Sequence, residues 1–196
     1  MARPQKFTTD QILDAALTAV QQHGPAATMA DVARAVGAPM GSMYYRFPSR
    51  EHLFIALWLR SIRHFHAGLL EALTIEDPRT ALVAAARHIP RFCRAHPDVA
   101  LALTLYRQTR LVQSAPAELV EEVRTINEPV LEAMARACTR RFGRATPKRL
   151  DLVRTACQAS PYGLVRPYVG GPVPLWLDAV VTVSTEAILA LGDPGA

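Results

Sequence analysis

Several features are missing from the sequence, and each absence disfavours a class of protein. No run approaches the roughly 18 uninterrupted apolar residues of a membrane-spanning helix. The opening segment MARPQKFTTDQ has no apolar stretch of the kind found in signal peptides, which predicts a cytoplasmic protein. Internal repeats, low-complexity tracts and long charge blocks are also missing. These absences disfavour a membrane protein and a repeat protein.

Motifs for metal, cofactor and catalytic chemistry are equally scarce. Cys93, Cys138 and Cys157 are odd in number, widely spaced and set in apolar segments, which is typical of reduced core thiols. His64 and His66 are two residues apart and would point away from each other on a helix. No HExxH, CxxC pair, glycine-rich phosphate loop or GxSxG motif occurs. We therefore expect no bound metal, no cofactor and no enzyme activity. An enzyme is the first alternative function for this chain, and the scarcity of these motifs argues against it.

The composition that is present favours a globular helical protein. The chain has 196 residues, 50% of them apolar, which is enough to bury a full core. Alternating apolar and polar runs, which half-buried strands require, are almost absent. The net charge of +5 and the pI near 9.5 are compatible with a nucleic-acid partner but do not demand one. The sequence predicts an all-α fold.

Capping signals divide the amino-terminal region into three short helices. Thr8 with Gln11 forms a capping box that starts the first helix, and Gly24 ends it. Thr28 opens a second helix that ends at Gly37, and a third runs from about Met40 to Arg46. The second and third helices, joined by a short turn containing glycine, predict a helix-turn-helix.

Prolines at predicted first-turn positions mark most of the later helices. The fourth helix begins after Ser49, and we predict the later helical stretches at about residues 50–73, 78–95, 97–113, 116–142, 147–169 and 174–191. The stretch 147–169 is expected to kink near Pro161 and Pro167. This pattern predicts a three-helix domain at residues 1–52 that contains the helix-turn-helix, followed by a larger helical-bundle domain at 53–196.

The third helix is the predicted reading element. The second helix of a helix-turn-helix enters the major groove of DNA, and its exposed face contacts the bases. If Met43 and Phe47 point inward, then the outward or edge positions are Met40, Ser42, Tyr44, Tyr45 and Arg46, with Gly41 allowing close backbone approach. Arg46 is the candidate for a bidentate guanine contact, and the predicted phosphate contacts are Thr28, Ser42, Tyr44, Tyr45 and Arg50. The alternative is that both tyrosines are half-buried packing residues and Arg46 is a solvated charge.

The segment ILDAALTAVQQHGPAATMADVARAVGAPMGSMYYRFPSREHLF, from Ile12 to Phe54, resembles the amino-terminal domain of TetR-like bacterial regulators. The resemblance implies a homodimer whose DNA-binding domain, residues 1–52, binds a palindromic operator. The effector-binding and dimerisation domain, residues 53–196, would hold a small-molecule effector, and DNA would be released when the effector binds. It also implies backbone contacts by Thr28, Tyr44, Tyr45 and Arg50, with Gly41 and Ser42 at the groove. The chain departs from the family at Pro39, usually a capping serine, at Met40, usually polar or basic, and at Arg50, usually lysine.

Effector residues have to be sought outside this segment. A small-molecule site is a mostly apolar wall with a few polar groups. Helical faces that combine apolar residues with a few polar ones supply the candidate effector residues, which are Trp58, Ser61, His64, Phe65, Tyr106, Arg110, Asn127 and Met134. The alternative for the polar members is structural: Arg110 extends to solvent, Asn127 satisfies a backbone group, and His64 lies at a helix edge.

The last helix is the predicted dimer interface. Its apolar residues cover most of the circumference, so more than one side has to be covered. The predicted contact residues are Trp176, Val180, Val183 and Ile188. The resemblance agrees, because family dimers pair their last two long helices; the alternative is burial within one monomer. A further alternative for the whole chain is a TetR-like regulator controlled by a protein partner or by no ligand, which a filled core without a sizeable cavity would favour.

Overall fold

The computed structural model describes residues 7–193, so residues 1–6 of the opening segment lie outside the described part. Within that part the regular structure is helical, with no strand. The α-helices are α1 Thr9–His23, α2 Met29–Val36, α3 Met40–Arg46, α4 Arg50–Leu73, α5 Pro78–Ala95, α6 Pro97–Leu103, α7 Gln108–Ser114, α8 Ala117–Thr125, α9 Glu128–Phe142, α10 Pro147–Arg154, α11 Ser160–Val165 and α12 Leu177–Ala190. The predicted all-α class is confirmed.

The first helices begin and end where their capping signals predict. Thr8 and Gln11 form a reciprocal capping box at the start of α1. Gly37 adopts the left-handed conformation, with φ 70°, that ends α2 and turns the chain toward α3. Met43 of α3 has no exposed surface and packs in the same cluster as Ile12 and Val32. The three-helix arrangement predicted from capping and periodicity is therefore confirmed.

Two of the predicted long helices are each broken into a pair. The stretch 97–113 breaks after Leu103, and Arg107 adopts an extended conformation before α7 begins. The stretch 116–142 breaks at Ile126 and Asn127, immediately before Pro129 in the first turn of α9. Proline has no backbone N–H, so the hydrogen-bond ladder of α8 cannot continue through it. The prediction of single helices here was wrong.

The 147–169 stretch, predicted to kink near Pro161 and Pro167, is interrupted by a π-helical turn. Thr155–Ala159 is π-helical, α11 follows directly, and a 3-10 turn at Arg166–Tyr168 ends the stretch. Pro161 lies in the first turn of α11, where its missing N–H interrupts the ladder. The hydroxyl of buried Thr185 on α12 donates to the carbonyl of Ala156 at 3.1 Å, which gives a carbonyl of the irregular turn a hydrogen-bond partner.

The chain forms two compact units that differ from the predicted division at residues 52 and 53. Among the described residues, the first unit comprises residues 7–62 together with Asp98–Ile126, and the second comprises Arg63–Pro97 and residues 127–193. In the first unit, Ala102 of α6 is buried in the same apolar cluster as α1, α2 and α3. By packing, α6 to α8 therefore join the amino-terminal helices; the division by function stays a prediction.

Each unit has its own apolar core. The first unit buries a second cluster around Trp58, with Leu111 of α7 and Val123 of α8. The core of the second unit is built from the carboxy-terminal half of α4 with α5, α9, α10 and α12, and its members include Leu69, Leu82, Met134, Cys138, Cys157 and Leu189. All three cysteines are free and buried, as predicted for core thiols.

Candidate DNA-binding surface

Helix α3 has one buried face and one exposed face. Met43 and, just beyond the helix, Phe47 are buried, at 0% and 7% exposure. Tyr45 is 86% exposed and Tyr44 is 50% exposed, so the alternative that both are half-buried packing residues does not describe Tyr45. The exposed residues of the helix, which we call the reading face, are Met40, Gly41, Ser42, Tyr44 and Tyr45.

The turn before α3 orients this face through backbone geometry. The N–H of Ala38 donates to the carbonyl of Ala33 at 2.9 Å, and left-handed Gly37 reverses the chain. Pro39 precedes α3 in an extended conformation, and its carbonyl accepts from Ser42 and Met43. Pro39 has no side chain that can cap the helix, so the capping bond of the usual serine is missing here.

Thr28 is exposed but its hydroxyl is already used by the cap of α2. The hydroxyl donates to the Asp31 carboxylate at 2.6 Å and accepts from the Asp31 N–H at 3.2 Å. The hydrogen bonds that the Thr28 hydroxyl and N–H donate to the carboxylate hold the pKa of Asp31 below its usual value. A phosphate contact through the Thr28 hydroxyl would compete with this cap. The predicted phosphate role of Thr28 therefore stays a prediction.

Arg50 binds the protein itself, which differs from the predicted phosphate contact. Its Nε donates to the carbonyl of Ala27 at 2.7 Å, and its Nη2 donates to the carbonyl of Pro25 at 2.6 Å. Its guanidinium carbon lies 4.7 Å from the centroid of the Phe54 ring. The turn between α1 and α2 leaves two carbonyls side by side, and a planar fork can satisfy both at once. Arg50 thus clamps the turn before α2.

Arg46 also reaches back into the protein. It is half-buried in the last turn of α3, and its Nη1 donates to the hydroxyl of Thr9 at 3.2 Å. The guanidinium therefore lies toward α1 and away from the reading face. The sequence had predicted that it lies on that face and contacts a guanine. A base contact by Arg46 would require the side chain to leave Thr9.

The predicted effector residues are divided between the two units. Four belong to the first unit, in which Trp58 is buried and the Ser61 hydroxyl donates to the carbonyl of Leu57 within its own helix. Tyr106 and Arg110 line the same cavity of about 270 Å³. The structure therefore brings together Tyr106 and Arg110, while the polar group of Ser61 is satisfied by its own backbone.

The other four predicted effector residues belong to the second unit. His64 is exposed and its ring lies beside that of His96, with centroids 4.5 Å apart and the ring planes tilted by 58°. Phe65 is half-buried and Met134 is a buried core residue. Asn127 is hydrogen-bonded to His66, a buried histidine whose pKa is lowered chiefly by loss of solvation.

His66 was not among the residues predicted from sequence, although a signal for its burial exists. On α4 it lies seven residues after Leu59 and three before Leu69, and both of these are buried. That spacing places it on the apolar face of the helix.

The predicted dimer residues are mostly exposed. Trp176, Val180 and Val183 lie on an exposed apolar stripe of α12, at 57%, 39% and 67% exposure. The stripe, which we call the α12 stripe, also includes Leu175, Ala179, Ala187 and Leu191. Ile188 differs, because it is half-buried and packs against the core of the second unit. Opposite the stripe, Val181 and Leu189 are buried, so one monomer covers only one side of the helix.

These features define a helix-turn-helix DNA-binding protein with a helical second unit. The family described as "Bacterial regulatory proteins, tetR family" matches residues 12–57. The probable acrEF/envCD operon repressor of Escherichia coli K12 is 26% identical over 168 residues, covering 81% of this chain and 74% of the relative.

Solved structures share the fold. The TetR family transcriptional regulator PfmR from Thermus thermophilus has a TM-score of 0.71 at 18% identity, covering 91% of this chain and 97% of its own. The regulator FadR from Bacillus subtilis, solved with stearoyl-CoA, has a TM-score of 0.61 at 18% identity and covers 96% of this chain and 100% of its own.

The chain is a TetR-like DNA-binding transcriptional regulator. Its relatives are named as regulators of transcription, which places it with that class and not with enzymes. Across residues 7–193, no helix is both long and apolar enough to cross a membrane.

Proposed function

We propose that the chain is a homodimeric transcriptional repressor that binds a palindromic operator in the cytoplasm and leaves it when a small-molecule effector binds. The reading face carries this proposal, because α3 places its five residues at the surface while Met43 anchors the helix beneath them. An exposed recognition helix on a buried anchor is what entry into the major groove requires. The name of the Escherichia coli relative, a probable operon repressor, supports repression over activation.

The residues that the sequence predicted to contact DNA fall into two groups. Met40, Gly41, Ser42, Tyr44 and Tyr45 lie on the exposed side of α3 and can reach a groove directly. Thr28, Arg46 and Arg50 instead hold the domain together, through the α2 cap, the Thr9 contact and the α1–α2 turn. We therefore assign direct reading to the first group and positioning of the reading helix to the second.

Dimerisation is supported by the α12 stripe. Apolar side chains at Trp176, Val180 and Val183 recur along one side of a helix whose opposite side is already buried. A second copy of the same helix is self-complementary to such a stripe under two-fold symmetry. Two recognition helices related by this symmetry would read half-sites about 34 Å apart, or a multiple of that distance.

Effector control is supported by cavities within each unit. The second unit has an open cavity of about 780 Å³ between the end of α4 and α9, and the first has the cavity that Tyr106 and Arg110 share. The 780 Å³ cavity lies within the usual size range of ligand sites, which favours effector control over the ligand-independent alternative. The Bacillus subtilis regulator that shares the fold was solved with stearoyl-CoA, so this architecture accommodates a ligand. An effector that favours a wider half-site spacing lowers operator affinity, and the operator lowers effector affinity equally.

Selection from random-sequence duplex DNA tests the proposal. The purified protein is titrated at physiological salt, the bound fraction is amplified through several rounds, and the enriched sequences are aligned. We expect an inverted repeat whose half-site spacing matches one or two helical turns. A Tyr45→Ala variant carried through the same rounds serves as the control and should enrich the motif less. Enrichment of no motif by the wild-type protein would contradict specific operator binding.

A further inference from the structure

The break between α6 and α7 forms a polar cavity within the first unit. Its volume is about 270 Å³. Three hydroxyl-bearing residues line it, Thr104, Tyr106 and Ser114, together with the arginines Arg107 and Arg110. Burial raises the pKa of the Tyr106 hydroxyl above its usual value, so this group stays protonated at neutral pH and can donate a hydrogen bond.

The two arginines of this cavity are available to a ligand. Both are exposed, and within the described residues neither guanidinium takes part in an ion pair or hydrogen bond. The lining includes no carboxylate. Arg60 and Arg94, by contrast, are paired, Arg60 with Asp14 at 2.8 Å and Arg94 with Asp178 at 2.9 Å. Two unneutralised positive charges three residues apart on one short segment repel each other, and an anion between them would remove that cost.

We propose that this cavity binds a small dianion, a phosphate monoester or a dicarboxylate, and that this dianion is the effector. The inference rests on the proposed function, since it names the chemical class of the ligand that releases DNA. Guanidinium forks bind phosphate and carboxylate oxygens in a bidentate manner, and the Tyr106 hydroxyl supplies a further donor. The hydroxyls of Thr104 and Ser114 already donate to the carbonyls of Leu101 and Arg110. A volume just below the usual range for ligand sites, about 300–1,000 Å³, fits a compact ligand better than a long acyl chain.

The cavity is coupled to the recognition helix by packing inside the same unit. Tyr106 packs against both apolar clusters of the first unit. One of these clusters contains Ala102 of α6 and Met43, the buried anchor of α3. An anion that draws Arg107 and Arg110 together would move the α6–α7 break, and close packing transmits such a shift to α3.

Calorimetric titration of the full-length protein with inorganic phosphate and with malonate tests the site. Arg107→Gln and Arg110→Gln remove one positive charge each, and Arg144→Gln, at an exposed position in the second unit, is the matched control. We expect each cavity variant to weaken anion binding about tenfold or more, because hydrogen bonds to charged groups contribute that much. The control should bind as the wild type does. Stronger binding of phosphate assigns the ester class, and stronger binding of malonate assigns the dicarboxylate class.

Operator binding measured with and without each anion separates this inference from the proposed function. We expect the bound anion to weaken operator binding by the wild type and not by the double variant, which combines Arg107→Gln with Arg110→Gln. If the wild type binds the operator but neither anion, the site is overturned and the repressor function stands. If no operator is bound under any condition, the proposed function fails while the titration still reports on the site. If the double variant loses affinity for all DNA sequences without any anion, these arginines contact DNA and the effector site is overturned.

Discussion

The clamp formed by Arg50 offers the sharpest test of how the DNA-binding domain is held together. Substitution by alanine removes the Nε bond to Ala27, the Nη2 bond to Pro25 and the contact over Phe54. The Arg50 side chain is exposed in part, so each of its two hydrogen bonds is expected to contribute about 1 kcal/mol to the free energy of unfolding. Hydrogen bonds to charged groups usually contribute about 1.5–3 kcal/mol. The aromatic contact adds about 0.5–1 kcal/mol. We expect Arg50→Ala to lower the free energy of unfolding by about 3 kcal/mol.

Unfolding in urea, followed by circular dichroism, measures this loss. A loss of that size corresponds to a melting temperature lower by roughly 6–12 °C for a chain of this length. Arg50→Lys keeps the positive charge but lacks the fork, so it should lose about half as much stability. Arg34→Ala is the matched control, since the exposed Arg34 guanidinium bonds to the Asp31 carboxylate, three residues earlier on the same helix, at 3.1 Å. Its effect should stay below about 0.5 kcal/mol.

The two roles of Arg50 separate in the DNA assay. If it also contacts a phosphate, Arg50→Ala weakens binding to all sequences alike and lowers the salt slope by about one. Arg50→Lys would then retain DNA affinity while losing stability. Unchanged unfolding of Arg50→Ala would refute the clamp and restore the phosphate contact as the main role of this residue.

Three further predictions concern the reading face, the α12 stripe and the half-buried His88. Tyr45→Ala should weaken operator binding about tenfold in fluorescence anisotropy and leave the melting temperature unchanged, because Tyr45 is 86% exposed; equal affinity would exclude it from the reading face. Val183→Glu should convert the dimer to a monomer in analytical ultracentrifugation, whereas Leu131→Glu, an exposed apolar position on α9, should not; a dimeric Val183→Glu protein would place the interface elsewhere. Loss of solvation lowers the pKa of His88 in the folded protein, so the imidazole takes up a proton at a higher pH in the unfolded chain than in the folded one. The stability present above pH 6.5 is therefore lost as the pH falls below that value. His88→Gln, which can still donate to the carbonyl of Phe65, should flatten this dependence in pH-resolved urea unfolding; an unchanged pH profile would assign the effect to other groups.

Local signals predicted the amino-terminal helices well. The capping boxes at Thr8 and Thr28 and the left-handed glycine at Gly37 act between residues a few positions apart, so their geometry follows directly from the order of residues. Apolar spacing likewise predicted that Met43 is buried and that Tyr45 is exposed. The reading face could therefore be predicted from sequence almost residue by residue.

The long side chains of the same region could not be predicted this way. Arg46 and Arg50 lie where a groove contact is expected, yet their guanidinium groups reach Thr9 and the carbonyls of Pro25 and Ala27. An arginine has several rotatable bonds and spans a wide volume, so its partner depends on which acceptors the fold places nearby. Those acceptors are more than twenty residues away along the chain and carry no signal in the local pattern.

By itself the sequence determined the helical class, the helix-turn-helix and the exposed face of α3, because periodicity, caps and glycine conformation are properties of short segments. Only the tertiary structure decided that α6 to α8 pack with the amino-terminal helices, that His66 is buried beside Asn127, and that Arg107 and Arg110 line one cavity. These outcomes depend on contacts between segments far apart in the chain. Such contacts are selected by the complementarity of whole apolar faces, and a local pattern does not specify which faces meet.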